Sequence, residues 1–159
     1  MNEKVDELEG QASKSPPFTQ LSEEQLQDIL ENHRKWVESG GKEGQRAALG
    51  SVNLWQAMLG GANLQAADLS NANLEEAFLG GANLLLANLE KANLQGANLE
   101  GANLGWARGL NAPQVKTAKN WELAIYSDDF LKKLGLKPNH NEMVKKRLAE
   151  EKKATGAKP

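Results

Sequence analysis

Residues 61–104 read GANLQAADLSNANLEEAFLGGANLLLANLEKANLQGANLEGANL, and this stretch decides the fold. Leucine occupies every fifth position from Leu49 to Leu104, and alanine precedes nearly every leucine by two positions. A helix would spread these leucines around its surface, and a straight strand would send them alternately to opposite faces. A chain that runs extended for about three residues and then turns collects them on one side. The pattern therefore predicts a solenoid wound around its own leucines and alanines.

The predicted interior consists of the leucine column and the small residues beside it. Alanine is small enough to lie next to leucine inside a narrow tube. A third column, immediately before each leucine, is mostly Asn, and we expect it to face outward and bond nearby backbone at the corners. The predicted core leucines are Leu54, Leu59, Leu64, Leu69, Leu74, Leu79, Leu84, Leu89, Leu94 and Leu99.

The same stretch resembles the A(D/N)LXX consensus of the bacterial pentapeptide-repeat proteins. The resemblance implies an all-β solenoid, namely a right-handed quadrilateral β-helix with four pentapeptides in each coil. Residue n would then stack under residue n+20, and the repeat would form about three coils. We expect an N-terminal capping α-helix and a C-terminal helical cap, since two open ends would expose leucines and unpaired backbone.

The N-terminal half of the chain divides into three predicted segments. Residues 1–17 mix charge, Gln, Ser and a Pro-Pro pair without a period, which predicts a disordered tail. Residues 18–45 are predicted to form the N-terminal helical cap, because Ser22 and Gln25 fit a capping box ahead of an apolar stripe. The pentapeptide-repeat β-helix is predicted to occupy residues 46–109.

Two further segments follow the repeat. Residues 110–136 are predicted to form the C-terminal cap, with a short helix from Asp128 to Leu134 that begins after Ser127 and ends at Gly135. Residues 137–159 contain seven Lys or Arg against three Glu, a local charge of +4. Their apolar residues are sparse, so we expect a basic tail that is partly helical or disordered.

The sequence offers no catalytic, metal-binding or cofactor-binding motif, and we expect a protein that is not an enzyme. There is no cysteine, so thiolate chemistry and disulfides are excluded. His33 lies on the apolar stripe of the predicted first helix, where a packed structural role is expected, and His140 lies in the polar tail. The Gly-Gly pairs follow the five-residue period and are interpreted as corners.

Composition favours a cytoplasmic protein. The first fourteen residues contain four acids and two lysines with no apolar run, which is unlike a secretory signal. No segment approaches the roughly 18 uninterrupted apolar residues of a membrane span. The net charge of −2 argues against a chain built for direct nucleic-acid binding.

A protein-interaction module is the leading functional hypothesis, with a protein partner that the sequence does not identify. The candidate interaction surface consists of apolar residues at outward positions of the repeat: Met58, Phe78, Leu85, Leu86 and Trp106. The alternative interpretation is structural, because the terminal segments could fold back and cover these side chains.

Two other functions are compatible with the sequence. Some pentapeptide-repeat proteins of the quinolone-resistance type are similar to DNA in shape and charge and bind DNA gyrase. Here residues 46–109 carry five acids against three bases, which is sparse beside one phosphate per about 1.7 Å of duplex. The other alternative is that the basic C-terminal tail contacts nucleic acid, in which case binding should fall steeply with salt.

Overall fold

The computed structural model describes residues 18–156, so the predicted tail of residues 1–17 lies outside the described part of the chain. Helix α1 spans Glu23–Glu38 and precedes the repeat. After it come β1 (Asn103–Leu104), α2 (Ala112–Lys116), a short 3-10 helix (Trp121–Leu123), β2 (Ile125–Tyr126), α3 (Asp128–Leu134) and α4 (His140–Ala154).

Between α1 and α2 the chain winds into a parallel solenoid whose period is twenty residues. One column of bridges joins Ala48 to Asp68, Asp68 to Asn88, and Asn88 to Arg108. Further columns repeat the same offset on the other sides of each coil, so every coil contains four pentapeptides. The twenty-residue stacking implied by the sequence resemblance is therefore present.

In each pentapeptide, the residue before the leucine both donates and accepts a backbone hydrogen bond with the coil below. The N–H of Asn73 donates to Val52 in the coil below at 3.0 Å, and its carbonyl accepts from Leu54 at 2.8 Å. The pattern recurs at each five-residue step. Because so few residues of each pentapeptide pair with the adjacent coil, the ladder is built from short bridges rather than long strands.

The interior is the leucine and alanine tube. Each of the ten predicted core leucines has at most 2% of its surface exposed, and the alanines beside them in the second and third coils at most 4%. The leucine column ends where Gly109 takes its place. Gly109 has φ of +76°, and a Cβ there would collide with the backbone of Glu90, so only glycine fits this exit from the coil.

The Asn column forms ladders that the sequence did not lead us to expect. Each Asn or Asp in the column accepts a hydrogen bond from the N–H two residues later, as Asn73 does from Glu75 at 3.2 Å. In addition, the amide nitrogen of Asn93 donates to Asn73, and that of Asn73 donates to Asn53. These side chains therefore stabilise both the corner and the stacking of coils.

Helix α1 begins with the predicted capping box and packs under the first coil. The Ser22 hydroxyl accepts from the Gln25 N–H, and the Gln25 side chain accepts from the Ser22 N–H. Leu26, Ile29 and Leu30 are half-buried against the solenoid core.

His33 is the buried polar residue of α1. Its Nδ1 accepts a hydrogen bond from the Ala47 N–H at 3.0 Å, and its ring stacks on Trp36 with centroids 5.7 Å apart. The Nε2 atom makes no hydrogen bond with any residue the structure describes. Burial lowers the pKa of His33, and the charge of Arg46 lowers the pKa further, against an opposing effect of the Gln65 backbone. The neutral ring is therefore the form that fits this site.

The segment after the repeat continues the ladder. Lys119 pairs with Asn98, and β2 pairs in parallel with β1 through Asn103 with Ile125 and Leu104 with Tyr126. Helix α3 follows Ser127 and ends at Gly135 in the left-handed conformation, although the Ser127 side chain makes no capping hydrogen bond.

The C-terminal tail is partly helical, which was one of the two alternatives expected for residues 137–159, but its packing differs from the expectation. Helix α4 is continuous over fifteen residues, and His140 is buried rather than placed in a polar tail. His140 Nε2 lies 2.9 Å from the Ala124 carbonyl oxygen, and Val144 is also buried. Residues 157–159 lie outside the described part of the chain.

Acidification should destabilise the protein through His33. The unfolded chain, with a His pKa near 6.5, binds a proton more readily than the folded chain, so the free energy of unfolding should decrease as pH falls below 6.5. Urea unfolding between about pH 7.5 and about pH 5.5 measures this slope. His33→Asn keeps an acceptor but does not titrate, so its slope should be smaller; equal slopes would contradict the assignment.

A charge inside the tube should unfold the chain. Leu74 and Leu84 are fully buried, so Leu74→Asp or Leu84→Asp places a carboxylate among apolar side chains. The loss should be of the order of the whole stability of a domain this size, about 5 to 15 kcal/mol. Circular dichroism and urea titration measure it. The outward Gln65→Ala is the control and should change stability by less than about 0.5 kcal/mol.

Candidate interaction surface

Four of the five predicted surface residues have large exposed fractions. Met58 is 75% exposed, Phe78 47%, Leu86 45% and Trp106 62%, whereas Leu85 is half-buried. In residues 18–156 the terminal segments leave these four side chains uncovered. The structural alternative, in which the ends of the chain hide them, does not hold for the described residues.

Met58 and Phe78 occupy the Asn column of one side of the solenoid. They stack on each other through a parallel bridge, and Phe78 is bridged in turn to Asn98. On all sides of the solenoid, each Asn or Asp that precedes a leucine accepts, through its side-chain oxygen, a hydrogen bond from the N–H two residues later. Methionine and phenylalanine cannot accept this bond, so the N–H groups of Gly60 and Gly80 have no side-chain partner among the described residues.

Leu86 and Trp106 occupy a corner position with a left-handed backbone. Both residues have positive φ, of 60° and 54°. The equivalent corner on the preceding side carries Gly61, Gly81 and Gly101, which adopt this conformation without strain. A left-handed backbone costs an L residue roughly 1 to 2 kcal/mol. Other non-glycine residues adopt the same conformation at other corners, including Gln56, Glu76 and Lys91, so Leu86 and Trp106 are distinguished by their exposed apolar surface.

The five predicted residues form two groups rather than one patch. Met58 and Phe78 lie in the centre of one side, and Leu85, Leu86 and Trp106 lie at the corner after the next side. That intervening side carries the ladder of Asn63, Asn83 and Asn103, in which each amide nitrogen donates to the Asn oxygen of the coil below.

Trp55 extends the first group, and sequence reasoning did not include it. Its side chain is 52% exposed, and it lines a groove of about 310 Å³ with Met58 and with Leu21 and Leu26. Its position one residue after the core residue Leu54 indicates that its side chain faces outward, and this could have identified it. Its proximity to the predicted N-terminal cap favoured the interpretation that it was covered.

Charges around the candidate surface are mostly compensated or solvated. Glu31, Arg34 and Glu38 of α1 form two ion pairs, and the hydrogen bond from Arg34 lowers the pKa of Glu31. On another side, the Ser70 N–H donates to the carboxylate of Asp68 and lowers its pKa. Both carboxylates are therefore ionised at neutral pH.

The rest of the described chain offers little for other chemistry. Within residues 18–156 no three His, Asp or Glu side chains are grouped so that they could hold a metal ion. None of the helices in that range combines the length and apolar character needed to cross a bilayer.

The geometry defines a class of protein, a parallel solenoid with twenty-residue coils whose outer columns carry exposed apolar residues. The family model described as pentapeptide repeats matches residues 47–84 and 67–105. Residues 47–105 of this chain therefore carry the repeats of the pentapeptide-repeat proteins, which fold into right-handed β-helices.

Solved structures of cyanobacterial pentapeptide-repeat proteins are similar to this chain. Alr5209 from Nostoc PCC 7120 is 26% identical, over 77% of this chain and 98% of that one, with a TM-score of 0.37. HetL, involved in heterocyst differentiation regulation in Nostoc sp. strain PCC 7120, is 32% identical over 48% of this chain and 38% of its own, with a TM-score of 0.24. Rfr23 from Cyanothece 51142 is 29% identical over 55% and 69%, with a TM-score of 0.17. No curated protein matches the chain.

Phe78→Asn should be more stable than Phe78→Ala. Both lose the same apolar contacts, but asparagine can accept from the Gly80 N–H and from the amide nitrogen of Asn98, which lies one coil above. Two hydrogen bonds at about 1 kcal/mol each predict a difference of about 2 kcal/mol in the free energy of unfolding. Urea unfolding of the two variants measures it, and equal stabilities would show that the interruption of the ladder has no cost.

Proposed function

We propose that this protein is a non-catalytic protein-interaction module of the bacterial cytoplasm, and that its outer apolar columns bind a partner protein. The binding residues in this proposal are Met58, Phe78, Leu85, Leu86 and Trp106, with Trp55 added to the first group.

One observation carries the proposal. Met58 and Phe78 replace Asn in a column where Asn would add hydrogen bonds, and they remain exposed instead of joining the core. Residues that break a local structural rule without a structural gain are candidates for function. Leu86 and Trp106 add exposed apolar surface at a corner position that on other sides holds glycine or polar residues such as Glu76.

Partner capture with surface variants tests the proposal. Phe78→Asn removes exposed apolar surface while providing the hydrogen bonds of the column, and Leu86→Gly removes it at a position that suits glycine. Each should keep the fold and weaken binding of the captured partner at least about tenfold, which corresponds to about 1.4 kcal/mol.

The capture experiment needs a matched control and an identified partner. Gln65→Ala changes an outward residue outside both groups and should retain full binding. Mass spectrometry of the captured material identifies the partner, and titration of the purified pair then gives the dissociation constants. If both surface variants bind the partner as tightly as the original protein, the proposal fails.

The two alternative functions make different predictions. Gyrase binding would depend on the acidic residues of the repeat. Residues 46–109 carry five acids and three bases, a net charge of −2. A supercoiling assay with and without the protein distinguishes this role from binding through apolar columns. Nucleic-acid contact through residues 137–159 would rest on α4, where Arg147 is already paired with Glu151. Binding through that helix should fall steeply as salt rises.

The helices at both ends are proposed to act as caps. Helix α1 places Leu26 and Leu30 against one end of the core, and the β2 segment adds backbone pairing at the other end through Ile125. Burial of apolar surface and completion of the ladder at the ends support this role.

A further inference from the structure

The protein itself shows how an extended segment can pair with the lower edge of its first coil. Thr19 donates its N–H to the Ser51 carbonyl and accepts from the Asn53 N–H, both at 2.9 Å, and it forms a parallel bridge with Val52. The side chain of Gln20 then accepts from the amide nitrogen of Asn53 at 3.1 Å, which completes the bottom of that Asn ladder.

The next two sides of the same coil present the same groups without a partner. The groups equivalent to the Ser51 carbonyl and the Asn53 N–H are the Gln56 carbonyl and the Met58 N–H on the next side. On the side after that they are the Gly61 carbonyl and the Asn63 N–H. Within residues 18–156 none of these four groups makes a backbone hydrogen bond. We call residues 56–63 the open rim.

Asn63 repeats the side-chain part of the arrangement. Its oxygen accepts from Asn83 and from the Gln65 N–H, so the upper part of this ladder is complete. Its amide nitrogen has no acceptor in the described part of the chain, whereas the equivalent nitrogen of Asn53 is bound by Gln20. The bottom of this ladder therefore has an unused donor.

A groove runs along the open rim, with α1 as its other wall. Its volume is about 400 Å³, and it is lined by Gln27, Leu30, Glu31 and Arg34 of α1 and by residues of the open rim from Met58 to Asn63. Leu30 and Met58 supply apolar surface on opposite walls. A β-edge beside a helix, with apolar surface between them, is an arrangement suited to an added strand.

We propose that the open rim binds an extended segment of a partner protein, which pairs with the edge as Thr19 does. This inference rests on the proposed function and specifies one binding mode for it. One residue of the segment donates to the Gly61 carbonyl and accepts from the Asn63 N–H. The following residue supplies a side-chain oxygen, from Gln, Asn, Glu or Asp, to the amide nitrogen of Asn63. An apolar residue earlier in the segment contacts Met58 and Leu30.

The probe for this binding mode is a displayed library of random peptides of about seven residues, selected on the full chain. A selected peptide, made synthetically, is then titrated into isotope-labelled protein. We expect the amide signals of Met58 and Asn63 to shift on binding, and the hydrogen exchange of the Asn63 amide to slow because its N–H gains an acceptor. N-methylation of the peptide residue that pairs with Gly61 should abolish binding, because it removes the donated hydrogen bond.

A matched variant tests whether the groove is the binding site. Met58→Lys changes a residue of the groove, and Ala48→Lys places a lysine at the equivalent exposed position of the same coil on another side, outside the groove lining. Met58→Lys should weaken peptide binding at least about tenfold, and Ala48→Lys should leave it within about twofold. Equal losses would overturn the open-rim site. Loss of partner capture in Phe78→Asn, with no selected peptide at the rim, would retain the proposed function and overturn this inference.

Other occupants of the rim give distinct results. Slow exchange of the Met58 and Asn63 amides in peptide-free protein, independent of concentration, would show that the chain covers its own rim. Slow exchange that increases with protein concentration would show a second copy there. Either result overturns the proposal, as does a selection that enriches no peptide.

Discussion

The twenty-residue offset of the backbone hydrogen bonds is the constraint on which the other features depend. Each coil is held to the next through the N–H and carbonyl of the residue before the leucine, as at Asn73. Since the offset is constant, side chains align in columns, and the chemistry of a column is repeated or interrupted coil by coil. The leucine and alanine columns fill the interior, and the Asn columns add side-chain hydrogen bonds along the same axis. A residue of a different type within a column can therefore be recognised by comparison with the residues above and below it.

Much of the repeat could be predicted from the sequence because its physical signal is periodic. Leucine at every fifth position excludes a straight helix or strand, and the burial of Leu54 to Leu99 agrees with a tube. The amide ladders were missed because a single pentapeptide shows only the bond from Asn to its own corner. The bond between Asn73 and Asn53 requires the stacking geometry. The burial of His140 was missed for a similar reason, since its ring contacts the Ala124 carbonyl and Tyr126 and has no periodic partner in the sequence.

The surface was predicted less completely than the interior. Outward apolar residues could be identified, and the twenty-residue stacking implied by the resemblance already places Met58 with Phe78 and Leu86 with Trp106. The backbone conformation of the corner depends on the geometry of the turns. The positive φ of Leu86 and Trp106 belongs to the second turn position, which glycine occupies on the preceding side. The exposure of Trp55 depended on how α1 lies under the first coil, and the sequence of α1 does not specify this.

The pentapeptide is one quarter of a coil, and this ratio allows the outer surface to be rearranged without any change in the core. Insertion of one additional pentapeptide between Met58 and Asn73 would keep leucine over leucine and alanine over alanine. It would nevertheless place Asn73, instead of Phe78, above Met58. An insertion of five residues thus moves every outward residue that follows it by one side of the solenoid, relative to the outward residues that precede it. Solenoids of this kind can diversify their binding surfaces through small duplications, whereas a globular core would have to repack after each insertion.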